Sequence, residues 1–194
     1  MTGDQAMPTR RTLLCHAALG SLASASTSNT LAKDPLPAPP AEVLSTMPGA
    51  HLIGSGRLRY FGFSVYDASL WALPDFKVAQ FSQQRFALSL TYLRAFTASD
   101  IAQRSLQEIR RIHQVAPDTA RVWLTALQEL LPDVAAGDRI TAVHPPGGAA
   151  FWHQGRSIGG ISDSDFGRKF FDIWLSASTS EPKLRNALLA GAAP

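Results

Sequence analysis

The sequence predicts an α+β fold built on a mostly antiparallel β-sheet. The chain has 194 residues, of which 45% are hydrophobic and 17% charged, enough apolar content for one packed core and too much for a mainly disordered chain. Strand-like segments are joined by short turns, and helical segments follow in pairs. Because strands and helices do not alternate one by one, the order favours an antiparallel sheet over a parallel βαβ arrangement.

Composition and motif searches exclude several classes of function. The net charge of +3 is too small to predict nucleic-acid binding, and no apolar run approaches the ~20 residues that a membrane-spanning helix needs. Cys15 is the single cysteine, which excludes a disulfide scaffold. The histidines lack the spacing of a metal site, and no nucleotide-binding or nucleophile-elbow motif occurs. We therefore expect no metal and no cofactor.

Residues 1–32 have the composition of an export signal rather than of a folded segment. Arg10 and Arg11 stand directly before a short and mildly apolar stretch, and small residues follow at two possible cleavage sites, Ala23-Ser24-Ala25 and Thr30-Leu31-Ala32. This pattern is similar to a twin-arginine signal. We expect the protein to be periplasmic or secreted.

Residues 33–50 are predicted to form a proline-rich linker. Five prolines fix φ and remove backbone donors here, so neither a helix nor a strand is expected; they are Pro35, Pro37, Pro39, Pro40 and Pro48. The folded domain is therefore expected to span residues 51–194.

The first half of the domain reads as strands followed by two helices. Aromatic and β-branched residues make residues 51–73 strand-like, with a further strand at 68–72, and residues 85–96 form the next strand. Thr97 and Asp100 have the spacing of an N-terminal capping box, so a helix should begin there and run to about His113. Pro117 should begin a second helix, which Pro132 ends.

The second half repeats the order with a hairpin and two more helices. A strand is expected at residues 139–143, and strands 149–153 and 156–161 should form a hairpin around Gln154 and Gly155. Ser162 or Ser164 is the expected cap of the next helix, and Pro182 begins the last one.

Charged residues on the first predicted helix are spaced four apart. Asp100, Arg104 and Glu108 are expected to form a solvated ladder on its outer face, while Ile101 and Ser105 belong to the inner stripe.

Arginines within strands are the most unusual feature of the sequence. Strict alternation places Arg57 and Arg59 on one strand face with Phe61, Phe63 and Val65, and Arg94 lies among Phe and Leu residues in a later strand. A charge directed at an apolar layer is costly unless it is paired. Two interpretations stay open: the guanidinium groups reach water or an aspartate such as Asp67 or Asp100, or they form the polar end of an apolar cleft that holds an amphipathic acid.

Taken together, several segments resemble a known family. They are Gly54-Ser55-Gly56-Arg57, Val65-Tyr66-Asp67-Ala68-Ser69-Leu70, Leu90-Thr91-Tyr92-Leu93-Arg94, Ile101-Ala102-Gln103-Arg104-Ser105-Leu106, Gly137-Asp138, Phe151…Gly155…Ile158-Gly159 and Phe170-Phe171-Asp172-Ile173-Trp174-Leu175. In this order the chain resembles the chalcone isomerase-like family, and in particular its bacterial exported branch. The resemblance implies an open sandwich, in which a layer of helices covers one face of the antiparallel sheet and a ligand cleft lies between them.

The resemblance also implies a division by activity. Plant chalcone isomerases close a flavanone ring without a cofactor, using an arginine, a threonine and a tyrosine, whereas related members bind fatty acids through an arginine and a tyrosine. Arg57, or Arg59, matches the family arginine. Phe61 stands at the threonine position and Ala98 at the tyrosine position. We therefore assign no catalytic residue and expect a non-catalytic binder of a fatty acid or another amphipathic carboxylate.

Seven residues are candidates for ligand binding because they combine arginine, aromatic and hydroxyl side chains near the expected cleft. They are Arg57, Arg59, Phe61, Phe63, Tyr92, Arg94 and Ser105. The expected partner is a small amphipathic molecule bound by a monomer. Two alternatives remain: a cofactor-free isomerase or intramolecular lyase for another unsaturated substrate, favoured by an ordered hydroxyl such as Ser105 or Tyr92, and an interaction module with a closed cleft.

The export signal gives the first testable prediction. Replacing both Arg10 and Arg11 with lysine should leave the protein in the cytoplasm, because the twin-arginine pattern is read as an address. Immunoblots of periplasmic and cytoplasmic fractions measure this, with a Lys33→Arg variant as control. Unchanged periplasmic yield of the double variant would show that the signal is not of the twin-arginine type.

Overall fold

One six-stranded antiparallel sheet organises the domain. The computed structural model describes residues 37–145 and 147–193, and the strands lie side by side in chain order, from β1 to β6. They are β1 His51–Tyr60, β2 Phe63–Ala72, β3 Phe86–Tyr92, β4 Arg139–His144, β5 Ala149–His153 and β6 Arg156–Ile161. The predicted α+β class and antiparallel pairing are confirmed.

Five helices accompany the sheet. They are α1 Ala41–Thr46, α2 Ala98–Ile112, α3 Pro117–Leu130, α4 Ser164–Leu175 and α5 Pro182–Leu188, and a short 3-10 segment covers Val78–Gln83. Among the residues that the structure describes, no helix is both long enough and apolar enough to cross a bilayer.

The main core lies between the front face of the sheet and helices α2 to α5. Phe86, Leu88 and Phe151 from the sheet are buried there with Ile109 of α2 and Phe171 of α4. Aromatic rings in this layer meet edge to face, as Phe86 and Phe171 do with centroids 4.8 Å apart. Such pairs add to the free energy of burial.

Helix α5 packs directly on β1 because β1 offers glycine at the contact. A Cβ on Gly54 would meet the carbonyl oxygens of Ala187 and Leu188, and one on Gly56 would stand 2.9 Å from the side chains of Ala187 and Leu184. The Gly-x-Gly segment is therefore explained by close approach of a helix to a strand.

Local signals predicted most helix ends correctly. Thr97 Oγ1 accepts from the Asp100 amide at 3.1 Å and Asp100 Oδ2 accepts from the Thr97 amide at 3.3 Å, which is the predicted capping box of α2. Helix α4 differs, because Asp163 caps it rather than Ser162 or Ser164. One Asp163 oxygen accepts from the first-turn amides and the other from the Trp123 indole at 2.9 Å, which a serine hydroxyl could not do together.

The strand-like segment at residues 51–73 is a hairpin rather than a continuous strand. Phe61 (φ 46°) and Gly62 (φ 81°) form a two-residue turn between β1 and β2. Both residues have positive φ, as a type I′ hairpin turn requires. The turn escaped prediction because phenylalanine is a typical strand residue and not a typical turn residue.

A helix lies where the linker was expected to contain none. Helix α1 begins directly after Pro40 and ends before Pro48, so no proline interrupts it. Its Val43, and Met47 just after it, are buried on the back face of the sheet against Trp71 and Val143. The folded unit therefore begins before His51.

A chain of buried polar groups fixes α1 on this back face. Trp71 Nε1 donates to Ser89 Oγ at 3.1 Å, Ser89 lies 3.1 Å from Thr141 Oγ1, and Thr141 donates to Glu42 Oε1 at 2.9 Å. Arg139 Nε also donates to Glu42 at 3.1 Å. The Glu42 side chain is 1% exposed, so its charge depends on these donors for compensation.

Removing this carboxylate should destabilise the fold. Glu42→Ala should lower the free energy of unfolding by about 2 kcal/mol or more, since it leaves Thr141 and Arg139 without their acceptor. Glu42→Gln keeps an acceptor and should cost less. Urea denaturation measures both, with Arg121→Ala as control, because Arg121 forms an exposed pair with Asp118 that is worth well under 1 kcal/mol. Equal losses for Glu42→Ala and Arg121→Ala would contradict this role.

Candidate functional site

An apolar cavity of about 640 Å³ lies between the front face of the sheet and helices α2 and α4. Its buried walls come from Leu88, Ala142 and Phe151 of the sheet and from Phe170 and Trp174 of α4. Ligand sites in proteins commonly have volumes of about 300–1,000 Å³ and walls that are mainly hydrophobic. The cavity is therefore large enough for a long acyl chain or a molecule of similar bulk.

The exposed end of the cavity combines aromatic rings with arginines. Tyr60, Phe61 and Phe63 line it from the hairpin, and Arg94 and Arg104 line it from the end of β3 and from α2. The Arg94 guanidinium lies 4.9 Å from the Phe63 ring centroid, and that of Arg104 lies 5.4 Å from the Tyr60 centroid. We call these five residues the mouth.

Two tyrosines place hydroxyl groups in the cavity wall. Tyr66 and Tyr92 both line it, with ring centroids 6.0 Å apart, and Trp174 Nε1 donates to the Tyr66 hydroxyl oxygen at 2.9 Å. Burial raises the pKa of both phenols well above the usual value. Both therefore remain neutral hydrogen-bond donors over the physiological range. Ser105 also lines the cavity, but its hydroxyl donates to Ile101 O at 2.8 Å.

Glu108 is a nearly buried carboxylate in the same wall, 8% exposed. Its oxygens lie 2.7 Å from Arg104, 2.8 Å from Arg111 and 2.9 Å from the Ser180 hydroxyl. Burial alone would raise the pKa of Glu108, but the hydrogen bonds from Arg111 and Ser180 and the two arginine charges hold it below its usual value. Glu108 is therefore a fixed negative charge.

A second acid lies near Glu108. Glu181 also lines the cavity, and burial together with the negative charge of Glu108 raises its pKa. The cavity wall thus combines these two acids with Arg104, which is paired with Glu108, and with Arg94 at the mouth.

The sequence suggested a fully solvated charge ladder on α2, but only part of it is solvated: Asp100 and Arg104 are exposed, whereas Glu108 is buried. Asp100, Arg104 and Glu108 all line the cavity together with Ile101 and Ser105. Ile101, Arg104, Ser105 and Glu108 follow the spacing i, i+3, i+4 and i+7, which is one helix face. That spacing was the available signal, and it was missed because charged residues at i,i+4 are typical of exposed helices.

The structure also corrects the placement of Arg57 and Arg59, neither of which is among the residues that line the cavity. Arg57 forms a two-point ion pair with Asp67, at 2.6 and 2.8 Å, on the opposite face of the sheet, and its side chain is 46% exposed. The two-residue turn and a register shift beside Arg59 change the alternation assumed for a continuous strand. Leu58 and Tyr60 therefore face the cavity in place of the two arginines.

The other five candidates do line the cavity. They are Phe61, Phe63, Tyr92, Arg94 and Ser105. Sequence reasoning missed Tyr66, Arg104, Glu108 and Glu181 as parts of the same site. Within residues 37–145 and 147–193, no group of three or more His, Cys, Asp or Glu side chains is placed to hold a metal ion.

Comparison with known proteins agrees with this architecture of an open antiparallel sheet, a helical layer and a cavity between them. A chalcone isomerase-like family model matches residues 47–190, so the chain belongs to the chalcone isomerase-like family. No curated protein sequence matches it. Among solved structures, a fatty-acid binding protein of Arabidopsis thaliana is similar, with a TM-score of 0.57 and 12% identity over 73% of this chain and 87% of that chain. At this identity the likeness concerns the fold.

Proposed function

We propose that this protein binds a fatty acid or another amphipathic carboxylate in the cavity, without transforming it. The observation that carries the proposal is the combination of an open apolar cavity with a cationic mouth. The fold likeness to the fatty-acid binding protein of Arabidopsis thaliana supports it. The interaction module with a closed cleft is disfavoured, because the cavity is open.

The apolar walls would hold the acyl chain. Burial of apolar surface contributes roughly 25 cal/mol per Å², and Leu88, Ala142 and Phe151 form a lining that is apolar and buried. A preformed cavity also lowers the ordering cost of binding.

Arg94 is the best partner for the carboxylate. It makes no ion pair with any residue in the described part of the chain, and its guanidinium rests on the Phe63 ring at the mouth. Arg104 is already engaged by Glu108. An arginine offers a planar, two-point contact to a carboxylate.

The apolar lining orients the ligand. Arg104 and Arg111 are already paired with Glu108, so they offer less to a ligand carboxylate than the exposed Arg94 does. The ligand should therefore place its tail among the buried apolar residues and keep its carboxylate at Arg94.

One observation favours a second candidate, a cofactor-free isomerase or intramolecular lyase. The Tyr66 hydroxyl is ordered by Trp174 and lies in the cavity wall, where a neutral donor could polarise a substrate carbonyl. Against ring closure of a chalcone, the family positions for the catalytic threonine and tyrosine hold Phe61, at the tip of the hairpin, and Ala98.

We also propose that the protein acts outside the cytoplasm, as a member of the exported bacterial branch of the family. The predicted signal, residues 1–32, lies outside the described residues. The support is the sequence alone: Arg10 and Arg11 before a mild apolar stretch and a small-residue cleavage site.

The carboxylate contact gives a direct mutational prediction. Arg94→Met should weaken binding of a long-chain fatty acid about tenfold, the effect of losing one charge-assisted contact at a partly exposed site. Binding of the matching fatty alcohol should change little, because it carries no charge. Isothermal titration calorimetry measures the dissociation constants of both ligands.

Arg57→Met is the matched control for this experiment. Its guanidinium pairs with Asp67 outside the cavity, so the variant should bind acid and alcohol as the parent does. If Arg57→Met weakens acid binding and Arg94→Met does not, the carboxylate lies elsewhere and the assignment to Arg94 fails.

The isomerase alternative is tested separately. Purified protein should not convert a 2′-hydroxychalcone to flavanone above the uncatalysed rate, since each lost preorganised donor costs on the order of 10²–10³ in rate. Absorbance follows the reaction, and chiral chromatography of the product separates catalysis from background. A stereospecific product that Tyr66→Phe abolishes would establish the enzyme.

A further inference from the structure

We propose that the hairpin tip formed by Tyr60, Phe61 and Phe63 docks onto an anionic lipid surface, with the mouth of the cavity facing the lipid. This goes beyond ligand binding, since it concerns where the protein meets a membrane. Docking at this place would let an acyl chain pass between the membrane and the cavity without crossing water.

The tip carries the most exposed aromatic rings of the described chain. Phe61 is 84% exposed, Phe63 61% and Tyr60 47%. The other exposed large hydrophobic residues, Leu44 and Val122, belong to α1 and α3. Aromatic rings grouped at one protruding turn are typical of contact with the interfacial region of a bilayer.

Backbone conformation indicates that Phe61 is kept for a reason other than folding. Its φ of 46° lies in the left-handed region, which a bulky side chain seldom occupies and which Asn or Gly occupies easily at this turn position. The phenyl ring meets the Tyr60 ring edge to face, with centroids 4.5 Å apart, but Phe61 remains 84% exposed and gains little burial. A strained residue with so little burial suggests a functional role.

Arginines surround the aromatic tip and select an anionic surface. Arg59 and Arg94 are exposed beside it and form no ion pair within the described residues, and Arg104 stacks on Tyr60. The acid at the mouth, Asp100, is turned to Thr97 in the capping box. Arginines at a membrane surface bind anionic headgroups while their stems cover apolar groups.

The same charges disfavour a second copy of the chain as the occupant. A symmetric dimer through this tip would bring Arg59 and Arg94 of two molecules together, and like charges repel at short distance. A lipid surface with negative headgroups complements both the rings and the arginines.

Vesicle flotation tests the proposal with the full-length protein and no added fatty acid. The parent should float with vesicles of phosphatidylcholine mixed with phosphatidylglycerol and much less with pure phosphatidylcholine. Phe61→Asn should lower the partition coefficient between vesicles and water about tenfold, as expected when one aromatic ring is no longer buried in the bilayer. Because asparagine readily adopts the positive φ of this turn, the melting temperature of the variant should equal or exceed that of the parent.

Two further variants make the result specific. Val122→Gln removes another exposed apolar side chain, from α3, and should float as the parent does. Phe61→Trp should still bind the vesicles. Phospholipids brominated on their acyl chains should quench a larger share of the tryptophan fluorescence of this variant than of the parent, because its additional indole would lie in the bilayer.

Several results would overturn the proposal. They are absence of flotation by the parent, equal flotation of parent and Phe61→Asn, or a concentration-dependent dimer that Phe61→Asn abolishes, which would assign the tip to a second copy. Vesicle binding needs no fatty acid, so its failure would leave the calorimetric result for Arg94 untouched, and failure of acid binding would leave the vesicle result standing.

Discussion

The two-residue turn at Phe61–Gly62 determines which side chains face the cavity. In an antiparallel hairpin the turn fixes the pairing, and a change of one residue exchanges the two faces. Here Arg57 pairs across the strands with Asp67 on one face, while Leu58 and Tyr66 face the cavity on the other. The cavity is therefore apolar along β1 and β2, and Arg94, two residues after β3, is the lining cation that forms no ion pair within the described residues.

The two faces of the sheet are covered in different ways. On the back face, α1 seals the surface and Glu42 receives hydrogen bonds from Thr141 and Arg139. On the front face, α2 and α4 stand over the sheet and leave the cavity open, with Glu108 held by arginines in its wall. One face thus provides stability, and the other provides an apolar site with arginines at its mouth.

The parts of the fold that local chemistry decides could be predicted from the sequence. Thr97 and Asp100 predicted the start of α2, and Gln154 with Gly155 predicted the last hairpin, because caps and tight turns depend on neighbouring residues. The turn at Phe61 was missed because an aromatic residue predicts a strand and not a left-handed backbone conformation. The role of Arg104 and Glu108 was missed because spacing of four residues looks the same on a solvated face and on a cavity wall; only tertiary packing decides between them.

The most direct measurement is a crystal structure of the protein with a long-chain fatty acid brominated at its terminal carbon. Anomalous scattering locates the bromine independently of the rest of the ligand. We expect the bromine among Leu88, Ala142 and Phe151, the buried lining of the cavity, with the carboxylate within hydrogen-bond distance of Arg94. A bromine outside the cavity, or a carboxylate on Arg57 at the opposite face of the sheet, would contradict it.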